Sequence, residues 1–510
     1  MTQAISLLVR SPRFIIATLI LGTGGSFQYG FHISVLNSPS PFIKELVNRT
    51  CTERYNLSLE PWVLSLIWSF IVSIYCIGGI LGSLFAGRLA HVYGRKKSLL
   101  FNNILAIAGA TMMLLSRVAD SFEMIMIGRL LYGVNSGFAL VVHTLYVVEC
   151  APRTMRGIAG VSVATFVALG KFAGQLLGLR ELLGSEDWWP WLLAFSGFMG
   201  ILQLLTLPFL PESPHFLLLD RGDRPGCEKA MQQLWGKGDH TSEIEEMLLQ
   251  RAALQGVQYR TVWELICDRT VRWQLLTVMV TCSVLQFCGI NAVYMYALDV
   301  FRTAGIPSHQ LQYATLGTGL CEITVSLTCA MIIESTGKRV LLIRGNLMMV
   351  AVLGLLTITL NLQKQVFWMP YCSMILIFIY IFFFGSGPAG VTIALAADIF
   401  NQAYKPAAYT VGSFLNWISL FLIGILFPVL VPPVSKPEVP VARKNSLEGR
   451  NLGKERDSKG EPILQGAAEE ALTLARLRGG AHPAGGSRGS PNPNQTQRGS
   501  PSCRGQQRKP

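Results

Sequence analysis

Val284-Leu285-Gln286-Phe287-Cys288-Gly289-Ile290-Asn291-Ala292-Val293-Tyr294-Met295-Tyr296 is the stretch on which the reading of this chain turns. It lies inside an apolar segment running from about Leu275 to Leu298. A helix rises ~1.5 Å per residue, so about 20 residues cross the ~30 Å hydrocarbon core of a bilayer. Gln286 and Asn291 cannot face lipid, because each amide would leave donors and acceptors unpaired at a cost of several kcal/mol. Gly289 stands between them, where a helix can bend or admit a ligand. Two amides, a glycine and neighbouring aromatic rings at mid-membrane suit a neutral, hydroxyl-rich ligand, since an amide both donates and accepts. The alternative, amides that only tie helices together, stays open at this point.

Working outward, eleven apolar segments reach spanning length: 14–36, 62–86, 98–116, 123–148, 157–179, 189–210, 274–298, 311–333, 340–361, 367–398 and 406–431. Of the 510 residues, 51% are hydrophobic and 14% charged, with mean hydropathy +0.41. Soluble domains carry about 25% charged residues, so this is an all-α, multi-pass membrane protein. The first apolar stretch is too long for a cleavable leader and reads as the first span. Most cysteines fall inside spans, none forms a CxxC pattern, and they read as small packing residues. No metal cluster, nucleophile–base pair or phosphate loop is legible, so no cofactor and no enzymatic chemistry are expected.

Basic residues occupy alternate loops: His91, Arg95, Lys96 and Lys97; Arg153 and Arg156; the 211–273 segment; Lys338, Arg339 and Arg344; and Lys405. These loops belong to the cytoplasm. The loop 37–61 then faces outward, and it carries two glycosylation acceptors, Asn48-Arg49-Thr50 and Asn56-Leu57-Ser58. Four regions follow: an N-terminal six-helix half (1–210), a cytoplasmic helical linker (211–273), a C-terminal half of five spans (274–431) and a disordered tail (432–510). Within the linker, Ser242 to Gln250 reads as a helix. Gly94-Arg95-Lys96 after span two is echoed by Gly337-Lys338-Arg339 after span eight. Such parallel repeats are the plan of the major facilitator fold, with substrate between the halves.

The motifs place the chain near a family. Phe27-Gln28-Tyr29-Gly30, Gly128-Arg129-Leu130, Gly174-Gln175, Pro211-Glu212-Ser213-Pro214, Gln286 through Asn291, Glu334 with Gly337-Lys338-Arg339, Gly385-Ser386-Gly387-Pro388 and Asn416-Trp417 stand in the order and spacing of the facilitative hexose transporters. The chain resembles that family, the sugar porters of the major facilitators, from Gly25 to about Pro428. The absence of tryptophan between Pro388 and Asp398 resembles the fructose-handling class. Arg180–Gly184 and Gly387–Thr392 look most like the branch of its eleventh and ninth members.

The resemblance implies a sugar site at Gln175, Gln286 and Asn291, with Asn416 and Trp417 beside it. It also marks departures: Ala164 and Leu285 replace family glutamines, and Glu322 and His32 stand where asparagines are usual. Glu322 and His32 are therefore carried as candidate substrate-binding residues. A buried carboxyl in a span is costly unless paired. Arg95, Glu149, Arg156, Glu212, Glu334, Lys338, Asp398 and Lys405 match charged positions that form the family's cytoplasmic gate. His215 stands where the family has arginine. The resemblance implies facilitative transport of glucose or fructose, or both, by alternating access. Its partners are a small hexose and the lipid bilayer, without nucleic acid. Oligomeric state is left open. The expected location is the plasma membrane, with retention in internal membranes as the other outcome.

Three alternatives were weighed: a urate or organic-anion carrier, proton coupling through His32 or Glu322, and a transport-inactive variant. The last follows from the tail. After Val431 no further run of about 20 apolar residues exists, so the expected plan is two six-helix halves with the twelfth span missing. The tail holds 14 basic and 7 acidic residues and accounts for about half of the net charge of +13. Its composition is that of disorder, not of nucleic-acid binding. A re-entrant segment 406–431 would leave the tail inside; a full crossing would leave it outside.

Overall fold

A computed structural model describes residues 12–430, apart from 237, 255–257, 259, 364, 390, 393, 394, 396–398 and 402. The expected tail 432–510 thus lies outside the described residues. The described chain is helical. The first half comprises α1 (Pro12–Gly24), α2 (Ser26–Ser34), α3 (Ser40–Tyr55), α4 (Pro61–Tyr93), α5 (Arg95–Val118), α6 (Phe122–Glu149), α7 (Arg156–Leu177) and α8 (Trp189–Thr206). Then come α9 (Arg224–Trp235), α10 (Thr241–Leu254) and α11 (Val262–Cys267). The second half holds α12 (Arg272–Phe287), α13 (Ile290–Met295), α14 (Ala297–Thr303), α15 (Leu311–Thr336), α16 (Lys338–Leu362), α17 (Met369–Phe384) and α18 (Lys405–Leu430).

Ten helical segments in the described residues are long and apolar enough to cross a membrane. They coincide with ten of the eleven segments read from sequence. The remaining one, α15, has 26 residues, and its side chains from 329 to 336 lie outside the described set. Of the segment 406–431, the described residues 406–430 lie in one continuous helix, α18, and not in a re-entrant hairpin.

Small residues set the helix crossings of the first half. A Cβ on Gly78 or Gly82 would sit about 2 Å from the carbonyl oxygens of Leu130 and Val134 of α6. A Cβ on Gly133 would meet Tyr75 O at 2.0 Å. Backbones of α4 and α6 therefore touch, which is how helices associate where no hydrophobic effect drives them together. Polar side chains add links. Asn102 and Asn135 each donate to the other's carbonyl at 3.0 Å. Arg129, 1% exposed, donates to the carbonyls of His32 (3.0 Å) and Val72 (3.1 Å) with Tyr75 stacked on its guanidinium. Nothing else could hold a cation there.

The repeated motif is a repeated turn. Gly94 joins α4 to α5 at φ 95°, and Gly337 joins α15 to α16 at φ 84°. Both conformations are costly for any residue with a Cβ. The linker packs Leu218, Cys227, Met231, Ile244 and Met247 into its own small core. Trp235 Nε1 ties it to Cys150 O at 2.9 Å, and Arg153 pairs with Glu246 at 3.0 Å.

The halves meet where α4 packs on α18 and α7 packs on α15. Trp417 of α18 lies flat over Gly79 of α4, where a Cβ would come within 2.3 Å of the ring. Gly424 approaches Ser73 in the same way.

Candidate functional site

Span seven is broken where its sequence suggested. The helix α12 ends at Phe287, Gly289 takes φ 88°, and α13 restarts at Ile290. The carbonyl freed at Cys288 accepts the Tyr380 hydroxyl at 2.5 Å. The break turns Asn291 back toward the preceding turn, so that its Nδ2 donates to Gln286 Oε1. Gln286 Nε2 in turn donates to Asn416 Oδ1 of α18 at 2.5 Å. The three amides form one directional chain, Asn291 to Gln286 to Asn416. Next to it Trp417, 1% exposed, meets Tyr29 edge-on at 5.5 Å and Tyr75 at 5.8 Å. A ladder of amides flanked by rings presents both hydrogen-bonding edges and an apolar face, the two surfaces of a pyranose or furanose.

Gln175 and Glu322 lie on the other inter-half contact. Gln175 Nε2 donates to Thr318 Oγ1 at 3.0 Å, joining α7 to α15. Lys171 Nζ sits 2.7 Å from Glu322 Oε1, one turn deeper along the same contact. The ammonium also lies 4.0 Å from the centre of the Tyr294 ring. Glu322 is thus a paired carboxylate, which answers the cost of burying it. Lys171 was missed by the sequence reading. The available signal was the one that singled out Glu322, an ionisable residue inside a span.

His32 is placed elsewhere. Its Nε2 lies 2.9 Å from Ser196 Oγ, and its ring stacks on Tyr132 at 4.1 Å, all within the first half. The structure brings together Gln286, Asn291, Asn416 and Trp417, and separately Gln175 and Glu322; His32 joins neither group. Asn37 and Tyr29 are further contributors that sequence reading did not weigh.

The cytoplasmic charges form a network around one arginine. Arg95 contacts Glu149 at 2.9 Å and Asp220 at 2.7 Å. Glu149 also accepts from Ser213 Oγ at 2.5 Å, and Glu212 Oε1 accepts the backbone N–H groups of Arg95 and Lys96 at 3.0 and 3.1 Å. These contacts all stay within the first half and the start of the linker. Asp220 is a partner that the motifs did not reveal. His215 sits beside Glu149 and Arg156, and burial holds its imidazole below the ordinary range. Arg156, Lys338 and Lys405 open α7, α16 and α18. Asp398 and the Glu334 side chain lie outside the described residues.

The two faces of the membrane differ. On the outer side the halves are joined. Asn37 Nδ2 donates to Tyr294 O at 2.6 Å, Tyr313 Oη to Glu181 at 3.3 Å, and Arg180 N to Gln312 at 3.4 Å. The cleft left between Ser38, Gln175, Leu298 and Thr315 has a volume of about 10 Å³, room for about one water. On the cytoplasmic side Gly157 and Gly160 have open space where a Cβ would stand, and Ala164 is exposed.

With this geometry in hand, comparison with known proteins is specific. The family model for "Sugar (and other) transporter" matches residues 17–440. Human "Solute carrier family 2, facilitated glucose transporter member 11" is 44% identical over 433 residues, 85% of this chain and 87% of that protein. Mouse members 9 and 5 are 41% and 39% identical over 82% and 81% of this chain, 77% and 83% of their own lengths. Among solved structures, the inward open xylose transporter XylE of E. coli superposes with a TM-score of 0.65 at 19% identity, covering 90% of this chain and 99% of its own. The partially occluded inward open form gives 0.64, over 82% of this chain and 92% of its own. The fold is that of the major facilitators.

Proposed function

Because the chain belongs to the sugar (and other) transporter family, we propose that it carries hexoses, glucose or fructose, down their gradient by alternating access. The observation that carries this reading is the amide chain Asn291–Gln286–Asn416 beside Trp417, at the meeting of the two halves. Each hydroxyl of a sugar needs a donor and an acceptor once it leaves water, and amides provide both. A sugar would exchange its water for these groups and for Gln175 of the other half.

Movement follows from the asymmetry of the two faces. The outer contacts at Asn37, Glu181 and Arg180 are single hydrogen bonds, each worth roughly 1 kcal/mol net. Rocking the halves breaks them and brings the cytoplasmic ends of α7 and α15 together. Arg95, Glu149 and Glu212 sit at those cytoplasmic ends, where Lys338 and Lys405 of the second half would meet them. No covalent chemistry is required. Relatives named as facilitated glucose transporters support the substrate class.

The plasma membrane is the site of action that this reading assigns, tested by surface biotinylation. The function is tested by uptake of labelled glucose and fructose into proteoliposomes holding the full chain. Saturable uptake of either that needs no gradient of protons is expected. Uptake no faster than in empty liposomes would overturn the reading.

A further inference from the structure

The pair Lys171–Glu322 has a property that the amide chain lacks: it decides the net charge met by a solute. Lys171 belongs to α7 and Glu322 to α15, the helices that close over the centre from either half. Their side chains are 5% and 16% exposed, so water screens neither well. The ammonium donates to Glu322 Oε1 on one side and lies against the Tyr294 face on the other. Glu322 Oε2 and Gln175 Oε1 are both buried, and the Tyr294 hydroxyl stands beside the carboxylate as a donor. Gly319 keeps space for the Gln175 oxygen, since a Cβ there would come within 2.4 Å of it.

We propose that the Lys171–Glu322 pair is a specificity element: Glu322 neutralises the charge of Lys171, so neutral sugars are admitted and sugar acids refused. The inference deepens the hexose reading and rests on it for the substrate class. Its logic is separable, because it concerns which charge the site tolerates. A carboxylate entering the native site meets the Glu322 carboxylate and an ammonium whose charge that carboxylate already neutralises. Removing the Glu322 charge leaves the ammonium unneutralised, one turn from Gln175, and turns the site toward anions. Removing the Lys171 charge leaves an unpaired carboxylate and turns it toward cations.

The test uses the full chain purified in detergent and in proteoliposomes, with glucose, glucuronate and glucosamine as probes. Two readouts are taken: thermal stabilisation by each ligand, and competition against labelled hexose. In the natural protein glucose competes and glucuronate does not. In Glu322→Gln, glucuronate should gain at least tenfold relative to glucose, the size expected for one new charge-assisted hydrogen bond. In Lys171→Met, glucosamine should gain over glucose instead. The double variant should return to the natural ranking. An unchanged ranking in both single variants overturns the proposal, as does natural protein that takes glucuronate as well as glucose. Should a single variant fail to fold, the exchanged pair Lys171→Glu with Glu322→Lys decides: it must keep the neutral ranking, and selectivity for a charged sugar in that protein overturns the proposal. Absence of hexose uptake by the natural chain would defeat the functional reading alone, because ligand stabilisation still ranks the variants.

Discussion

Asn37, in the turn between α2 and α3, donates its side-chain amide to the backbone carbonyl of Tyr294 in α13, 257 residues away, at 2.6 Å. The acceptor is available because α13 ends at Met295, one residue on, which leaves the Tyr294 carbonyl in its last turn. Asn37 also donates to Ser34 O at 2.8 Å, so its orientation is held from the end of α2.

Asn37→Val should weaken that seal. Loss of one hydrogen bond of roughly 1 kcal/mol changes the ratio of outward-open to outward-closed molecules about fivefold. A cysteine at Thr315, which lines the outer cleft, reports the change. Its labelling by an impermeant thiol reagent from outside should accelerate in Asn37→Val. Equal labelling rates would show that Asn37 does not hold the outer side.

Gln286→Leu cuts the amide chain in its middle. Asn291, which is buried, then loses its acceptor, and Asn416, which is half-buried, loses its donor. The loss of binding is about 1–3 kcal/mol, or roughly tenfold and more in apparent affinity. Hexose uptake below saturation should fall accordingly while surface abundance stays near normal. Matching uptake per surface molecule would remove Gln286 from the site.

His215 makes stability depend on pH. Its imidazole is held low first by burial, with Arg156 and Arg95 adding to that effect and Glu149 opposing it. The unfolded chain titrates this histidine near ~6.5 and so binds more protons than the folded chain below that pH. Its contribution is therefore complete above about 6.5 and is lost as pH falls toward the lower folded value. The fall in Tm between pH 7.5 and 5.5 should be smaller in His215→Gln than in the natural chain. An identical fall would assign the pH dependence to the carboxylates instead.

The two glycosylation acceptors differ in structure. Asn48 lies within α3, and the hydroxyl of its Thr50 is buried and bonded to Asp120 O at 3.0 Å. Asn56 caps that helix at φ 53°, and Asn56, Leu57 and Ser58 are all exposed outside regular structure. Asn56→Gln should remove most of the glycosidase-sensitive gel shift, and Asn48→Gln should leave most of it. The reverse result would mean that modification precedes folding of α3.

What the sequence by itself determined is local. Apolar runs of spanning length set the helices, because unpaired backbone groups are too costly in lipid. Gly94 and Gly337 mark the same turn in each half, because only glycine accepts that backbone without penalty. Gln286 and Asn291 stood out as amides in an apolar run, and Gly289 as the place to break it. What tertiary structure alone decided is pairing across the chain. Lys171 and Glu322 are 151 residues apart, and no periodicity shows that helix rotation turns them toward each other. The same holds for Trp417 on Gly79, for Asp220 as the second partner of Arg95, and for His32, whose ring turns to Ser196 and Tyr132. Helix crossing and rotation are set by close contacts of small residues distributed over both helices. A pattern read along one helix carries its buried face but not the neighbour that buries it.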